Sequence, residues 1–79
     1  MISVIIPTLN AEAALPETLA ALIPAAVEGF VREVIVADGG SGDGTERIAD
    51  AAGVDFITAP RGRGSQLAAG ARRARFPWL

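Results

Sequence analysis

Three β-branched runs, at Ile2–Ile6, Val34–Val36 and Val54–Thr58, divide the chain, and between them the apolar residues recur at helical rather than alternating spacing. The first two lack polar alternation, which predicts strands buried on both faces, as in a parallel sheet with helices above and below. After Pro7 the segment Thr8-Leu9-Asn10 reads as a loop, with Asn10 a cap for a helix that starts between Ala11 and Leu15. Leu15, Leu19, Leu22 and Ile23 fall on one face of that helix, and Pro24 is expected to end it. Ala25 to Phe30 is ambiguous, with a further helical turn one reading. Thr45 to Ala52 predicts a short helix turning Ile48, Ala49 and Ala52 inward, with Gly53 as a left-handed cap. Ser65 is the expected cap of a last helix through about Arg75, packed by Leu67, Gly70, Ala71 and Ala74. The order is β-α-β-α-β-α, and connections of these lengths suit right-handed crossovers. The expected fold is therefore α/β: a Rossmann-like, three-layer, open parallel sheet with helices on both faces. An apolar pair, Trp78-Leu79, stands where a further buried strand would begin, and three strands alone leave two edges unpaired.

The second strand carries the sharpest signal. Glu33 to Thr45, EVIVADGGSGDGT, meets Asp38 and then breaks into Gly39, Gly40, Gly42 and Gly44. Those glycines permit a tight turn with positive φ, and Ser41, Asp43 and Thr45 each offer a cap to the next helix. A carboxylate at the carboxyl end of a parallel strand lies where open α/β sheets bind small molecules, so Asp38 is a candidate for a ribose hydroxyl or a base N–H; the alternative is a turn-capping role. Both phosphate-loop patterns fail. No Lys follows the last glycine, no triplet fits G-x-G-x-x-G, and Asp43 would repel phosphate. Thr8, Asn10 and Glu12 end the first strand, and Arg61 and Arg63 flank a glycine beyond the third, so polar groups converge on one edge.

Composition narrows the chemistry. Seventy-nine residues allow one domain, with 51% hydrophobic and 5% aromatic residues. A chain this short buries only about 60% of its unfolded surface. The absence of Cys and His removes thiolate sites and the commonest metal ligand and general base. The net charge of −2 conceals an asymmetry, because all 9 acidic residues precede Pro60 and the following segment is purely basic. Arg72, Arg73 and Arg75 suit an anionic partner or a solvated helix face equally. The opening MISVIIPTLN has neither a basic leader nor enough apolar length for a signal or a span, so the chain is expected to be cytoplasmic, with membrane association of a full-length protein left open.

SVIIPTLNAE followed by EVIVADGGSGDGT resembles the opening half of a family 2 glycosyltransferase of the GT-A fold, where one strand ends in P-T-x-N and a second in D-[DG]-G-S-x-D-x-T. RGRGSQLAAGARRA is similar to the segment preceding the acidic metal motif of those enzymes. The resemblance covers essentially the whole chain, and implies that residues 1–79 are the N-terminal nucleotide-binding part of a GT-A domain, ending ahead of that motif. It implies a nucleotide-sugar donor as partner, with Pro7, Thr8, Asn10 and Glu12 lining the nucleoside pocket and Asp38 bonding the base. Gly40, Ser41 and Asp43 would shape the turn, and Arg63 would approach the base or the phosphates. Three departures stand out: Gly39 where many members have a second aspartate, Ala68 where asparagine is common, and no D-x-D and no catalytic base after Arg63. The resemblance thus implies no catalytic or metal-binding residue in this chain, a divalent cation (Mg or Mn) in the full-length enzyme, inverting transfer to an acceptor hydroxyl, and no transfer by these residues alone. No nucleic-acid partner is expected. The alternative is a non-catalytic nucleotide-binding or self-associating module pairing through its exposed sheet edges.

Overall fold

The computed structural model describes residues 1–78; Leu79, half of the expected apolar pair, lies outside them. Strands β1 (Ile2–Thr8), β2 (Val31–Asp38) and β3 (Asp55–Thr58) form one parallel sheet in the order β1-β2-β3. Helices α1 (Leu15–Ala21) and α2 (Ile23–Val27) join β1 to β2, α3 (Thr45–Ala52) joins β2 to β3, and α4 (Arg63–Arg73) follows β3. The α/β reading from the hydrophobic pattern holds.

Strand alternation assigns the layers. Ile6, Val36 and Phe56 share a row across the sheet and pack with Leu15 and Leu19 of α1 and Ile48 and Ala49 of α3. Ile5, Ile35 and Asp55 form the next row, facing α4: a Cβ on Gly70 would collide with Ile5, and Arg73 pairs with Asp55 at 3.2 Å. Glycine at position 70 is therefore what lets α4 approach the strand so closely.

Several local expectations are corrected. Pro24 opens a second helix instead of ending the first, because a proline in a first helical turn has no intrahelical N–H bond to lose. Ile23 is consequently turned outward and 59% exposed. β2 begins at Val31, ahead of the purely apolar run, since the shift in register after Ile2 places Glu33 opposite Ser3. α3 ends at Gly53 in the left-handed conformation as expected, but Ala52 is exposed. α4 starts two residues before Ser65, with Gly62 in the cap position. At the far edge, Trp78 makes a parallel bridge to Ser3, so the chain there does pair with β1, although Trp78 itself is 54% exposed. No helix among the described residues is long and apolar enough to cross a membrane.

Candidate functional site

In-register pairing places Thr8, Asp38 and Thr58 side by side at the carboxyl ends of the three strands. Asp38 sits in the middle and is only 3% exposed. One carboxylate oxygen accepts hydrogen bonds from Thr8 Oγ1 (2.7 Å) and Ser41 Oγ; the other accepts from the backbone N–H groups of Gly40 (2.9 Å) and Ser41 (2.7 Å). A carboxylate offers about four acceptor positions, and all are filled from within the chain. Burial alone would raise its pKa; the donors from Ser41, Thr8 and Gly40 outweigh that and hold the carboxyl below its ordinary value. In this arrangement a base N–H reaches Asp38 only by displacing one of those donors.

The first loop is laced to the glycine turn. The Asn10 N–H donates to Ser41 Oγ (2.7 Å), whose own proton goes to Asp38, while Asn10 Oδ1 accepts from the Gly42 N–H (2.8 Å). Asn10 adopts φ 52°, a left-handed conformation that asparagine tolerates better than most residues, and it therefore clamps the turn instead of capping α1. Glu12 repeats the pattern: its N–H donates to Asp43 Oδ2 (3.1 Å) and its Oε1 accepts from Gly44 N–H (2.6 Å). Asp43 also accepts from the hydroxyl and the backbone N–H of Thr45, and the Thr45 hydroxyl, the strongest of its donors, lowers the Asp43 pKa. Of the four glycines in this turn only Gly40 has positive φ (99°).

Pro7 is half-buried in β1, and Arg63 is exposed at the first turn of α4 beside the exposed Arg61. All nine candidate residues thus lie on the strand-end rim or, for Arg63, on the basic turn that follows β3. Gln66 was not anticipated. Only 5% exposed, it donates from Nε2 to the carbonyls of Thr8 and Ala37 (both 2.8 Å), and its Oε1 accepts from Gly62 N–H (3.1 Å). Its position four residues before Gly70 put it on the packing face, and that spacing was the available signal.

A second feature, a wide depression between α3 and β3, touches the rim at Asp43 and Gly44; Glu46, Asp50 and Asp55 against Arg47 make it predominantly acidic, unsuited to phosphate. Among the described residues no group of three or more Asp, Glu, His or Cys is gathered for a metal, and the rim carboxylates of Asp38, Asp43 and Glu12 are already engaged with hydroxyls and N–H groups. These residues do not fit a divalent cation site.

The sequence model of glycosyl transferase family 2 matches residues 3–79. The chain belongs to this family. Among solved structures, glucosyl-3-phosphoglycerate synthase from Mycobacterium tuberculosis with Mn2+, uridine diphosphate (UDP) and phosphoglyceric acid is 30% identical, with 100% of this chain and 32% of that one covered at a TM-score of 0.85. The same coverage, identity and TM-score hold for its complex with Mn2+, UDP-glucose and phosphoglyceric acid. The complex with UDP is 36% identical over 85% of this chain and 27% of that one, at a TM-score of 0.74. The chain therefore spans about a third of the length of these structures. A comparison with curated protein sequences found no match. For a family 2 glycosyltransferase sheet, the laced rim is a preformed surface: its side chains hold one another, leaving loop backbone and exposed arginines facing solvent.

Proposed function

We propose that this chain binds the nucleoside diphosphate of a nucleotide-sugar donor, as part of an enzyme that transfers the sugar to an acceptor hydroxyl with inversion. The observation that carries this reading is the match of the whole chain, at a TM-score of 0.85, to an enzyme crystallised with UDP. Pro7, Thr8, Asn10, Glu12, Asp38, Gly40, Ser41 and Asp43 would build the nucleoside wall, Asp38 through the turn it organises, and Arg63 would meet the phosphates. A uridine nucleotide and phosphoglycerate are the donor and acceptor to test first, because the similar enzyme was crystallised with them. That enzyme was also crystallised with Mn2+, which supports a divalent cation, Mn or Mg, in the full-length protein. The described residues do not fit that ion, so its ligands would come from elsewhere in the full-length protein.

Calorimetric titration of the full-length protein with UDP, GDP and NAD tests the reading. Binding of UDP tighter than NAD is expected; NAD binding more tightly would replace it with a dinucleotide-binding function. Self-association has one favourable observation, the outer edge of β3, which no strand covers among the described residues. That edge is short and starts at the charged Asp55, features that blunt edge pairing. Sedimentation that shows a concentration-independent monomer would exclude it.

A further inference from the structure

Gln66 is a buried polar side chain with no part in the rim as the sequence outlines it, yet it touches three separate segments. Its two amide protons go to the carbonyls of Thr8 on β1 and Ala37 on β2, which fixes the orientation of the amide. Its Oε1 is thereby aimed at Gly62, whose N–H it accepts at 3.1 Å, and the Gln66 backbone N–H donates to Gly62 carbonyl oxygen at 2.9 Å. Gly62 is thus held on both of its polar groups by one residue. It has φ 139° and ψ 134°, a conformation that glycine adopts readily, so the turn depends on both its glycine and its anchor. The residues on either side are Arg61 and Arg63, both exposed.

Gly39 completes the arrangement. A Cβ placed there would lie 3.0 Å from Gln66 Oε1 and 3.1 Å from its Cδ. The amide end is buried and bonded on both atoms, so it cannot yield as a free side-chain tip would. The glycine beside Asp38 thus leaves the room that the glutamine amide fills.

We propose that Gln66 is a positioning residue for phosphate binding: by anchoring Gly62 to the ends of β1 and β2, it sets the basic turn Arg61–Arg63 at the strand-end rim and so controls affinity for the diphosphate of a nucleotide. The proposal rests on the nucleotide-binding reading above. It requires that losing the anchor weaken ligands carrying a diphosphate and spare those without one. A residue that merely stabilised the sheet would weaken both.

The test titrates the full-length protein and its Gln66→Ala, Arg63→Ala and doubly substituted variants with UDP and with uridine, with melting temperatures measured alongside. Gln66→Ala is expected to weaken UDP about tenfold, the scale of one lost charge-assisted contact, while uridine stays within about twofold. In the Arg63→Ala background the same substitution should add less than it does alone, because one of the two arginines it positions is gone. Gly39→Ala, which crowds the amide without deleting it, should weaken UDP selectively and by less, and serves where Gln66→Ala does not fold. Parallel losses for UDP and uridine, unchanged UDP affinity, or full additivity with Arg63→Ala would each overturn the proposal. A wild-type protein that binds no UDP would remove the nucleotide reading and this proposal with it; wild-type binding with any of the contrary variant results removes Gln66 alone.

Discussion

At both ends of the β1–β2 pair a hydroxyl from β1 meets a buried carboxylate from β2. Thr8 donates to Asp38 at 2.7 Å, and Ser3 donates to Glu33 at 2.8 Å, with the same separation of 30 residues along the chain. The alternation of the strands sends the first pair to the α1/α3 face and the second to the α4 face. What differs is where the remaining donors come from. Asp38 takes them from Gly40 and Ser41, two and three residues ahead, and so bends its own loop. Glu33 takes them from the backbone and guanidinium of Arg75, 42 residues away, and so fastens the segment after α4 to the sheet. One chemical device organises the glycine turn at the carboxyl end, where we propose the nucleotide binds, and builds a structural closure at the amino end. The distinction is set by which donors follow in sequence.

Removing each carboxylate is the most severe way to break that comparison. Asp38→Ala leaves the Thr8 hydroxyl and the N–H groups of Gly40 and Ser41 without their acceptor, and should cost about 3 kcal/mol or more in urea denaturation. UDP affinity should fall with it by about a hundredfold, since the wall loses its shape along with its anchor. Glu33→Ala should also lower the urea midpoint, yet leave the UDP affinity of the protein that remains folded within about twofold. Equal losses of UDP binding in the two variants would show that the ends are not functionally distinct.

Acid probes both ends at once and more gently. The donors from Arg75 and Ser3 hold Glu33 below its ordinary value near 4.5, and Asp38 lies below its ordinary 3.8 despite its burial. For a carboxyl whose folded-state pKa is depressed, the unfolded chain binds the proton first as pH falls. Its stabilisation is therefore complete above the unfolded value and lost as pH drops through the folded one. The urea midpoint should be flat from about pH 7 to about pH 5 and fall below about pH 4, with a shallower fall in either alanine variant. A midpoint that rises on acidification through this window would contradict both assignments.

The sequence carried the outer frame of this comparison and little of its interior. Continuous β-branched runs and helical spacing were enough for parallel strands and for Asp38 at a strand end, because burial on both faces leaves a direct trace in hydropathy. Asn10, Glu12 and Asp43 were legible as candidates at the strand-end edge. That they would satisfy one another was not, since reciprocal bonding between loops more than 30 positions apart depends on strand register. Glu33 reads as the polar start of a strand until its register with Ser3 is known. Gln66 is harder still: a polar residue on a helix is ordinarily solvated, and only the tight seating of Gly70 against Ile5 brings it under the sheet.

The finest division of the two ends lies in their hydroxyls. Thr8→Val keeps the shape of the side chain and removes one of the donors to Asp38; Ser3→Ala removes one donor from Glu33 and the acceptor of a long bond from Phe76 N–H, at 3.3 Å. Each carboxylate retains other partners, so Thr8→Val should cost only about 1 kcal/mol, with Ser3→Ala smaller because Arg75 supplies both a backbone and a guanidinium donor. The informative quantity is coupling to ligand. Ser41 Oγ shares its Asp38 oxygen with Thr8, so loss of the threonine hydroxyl should tighten the remaining Ser41 bond and leave the turn, and UDP affinity, nearly intact. If Thr8→Val instead weakened UDP by tenfold while costing no more stability than this, the hydroxyl would be acting on the ligand directly, and the rim would be less self-contained than its hydrogen bonds make it.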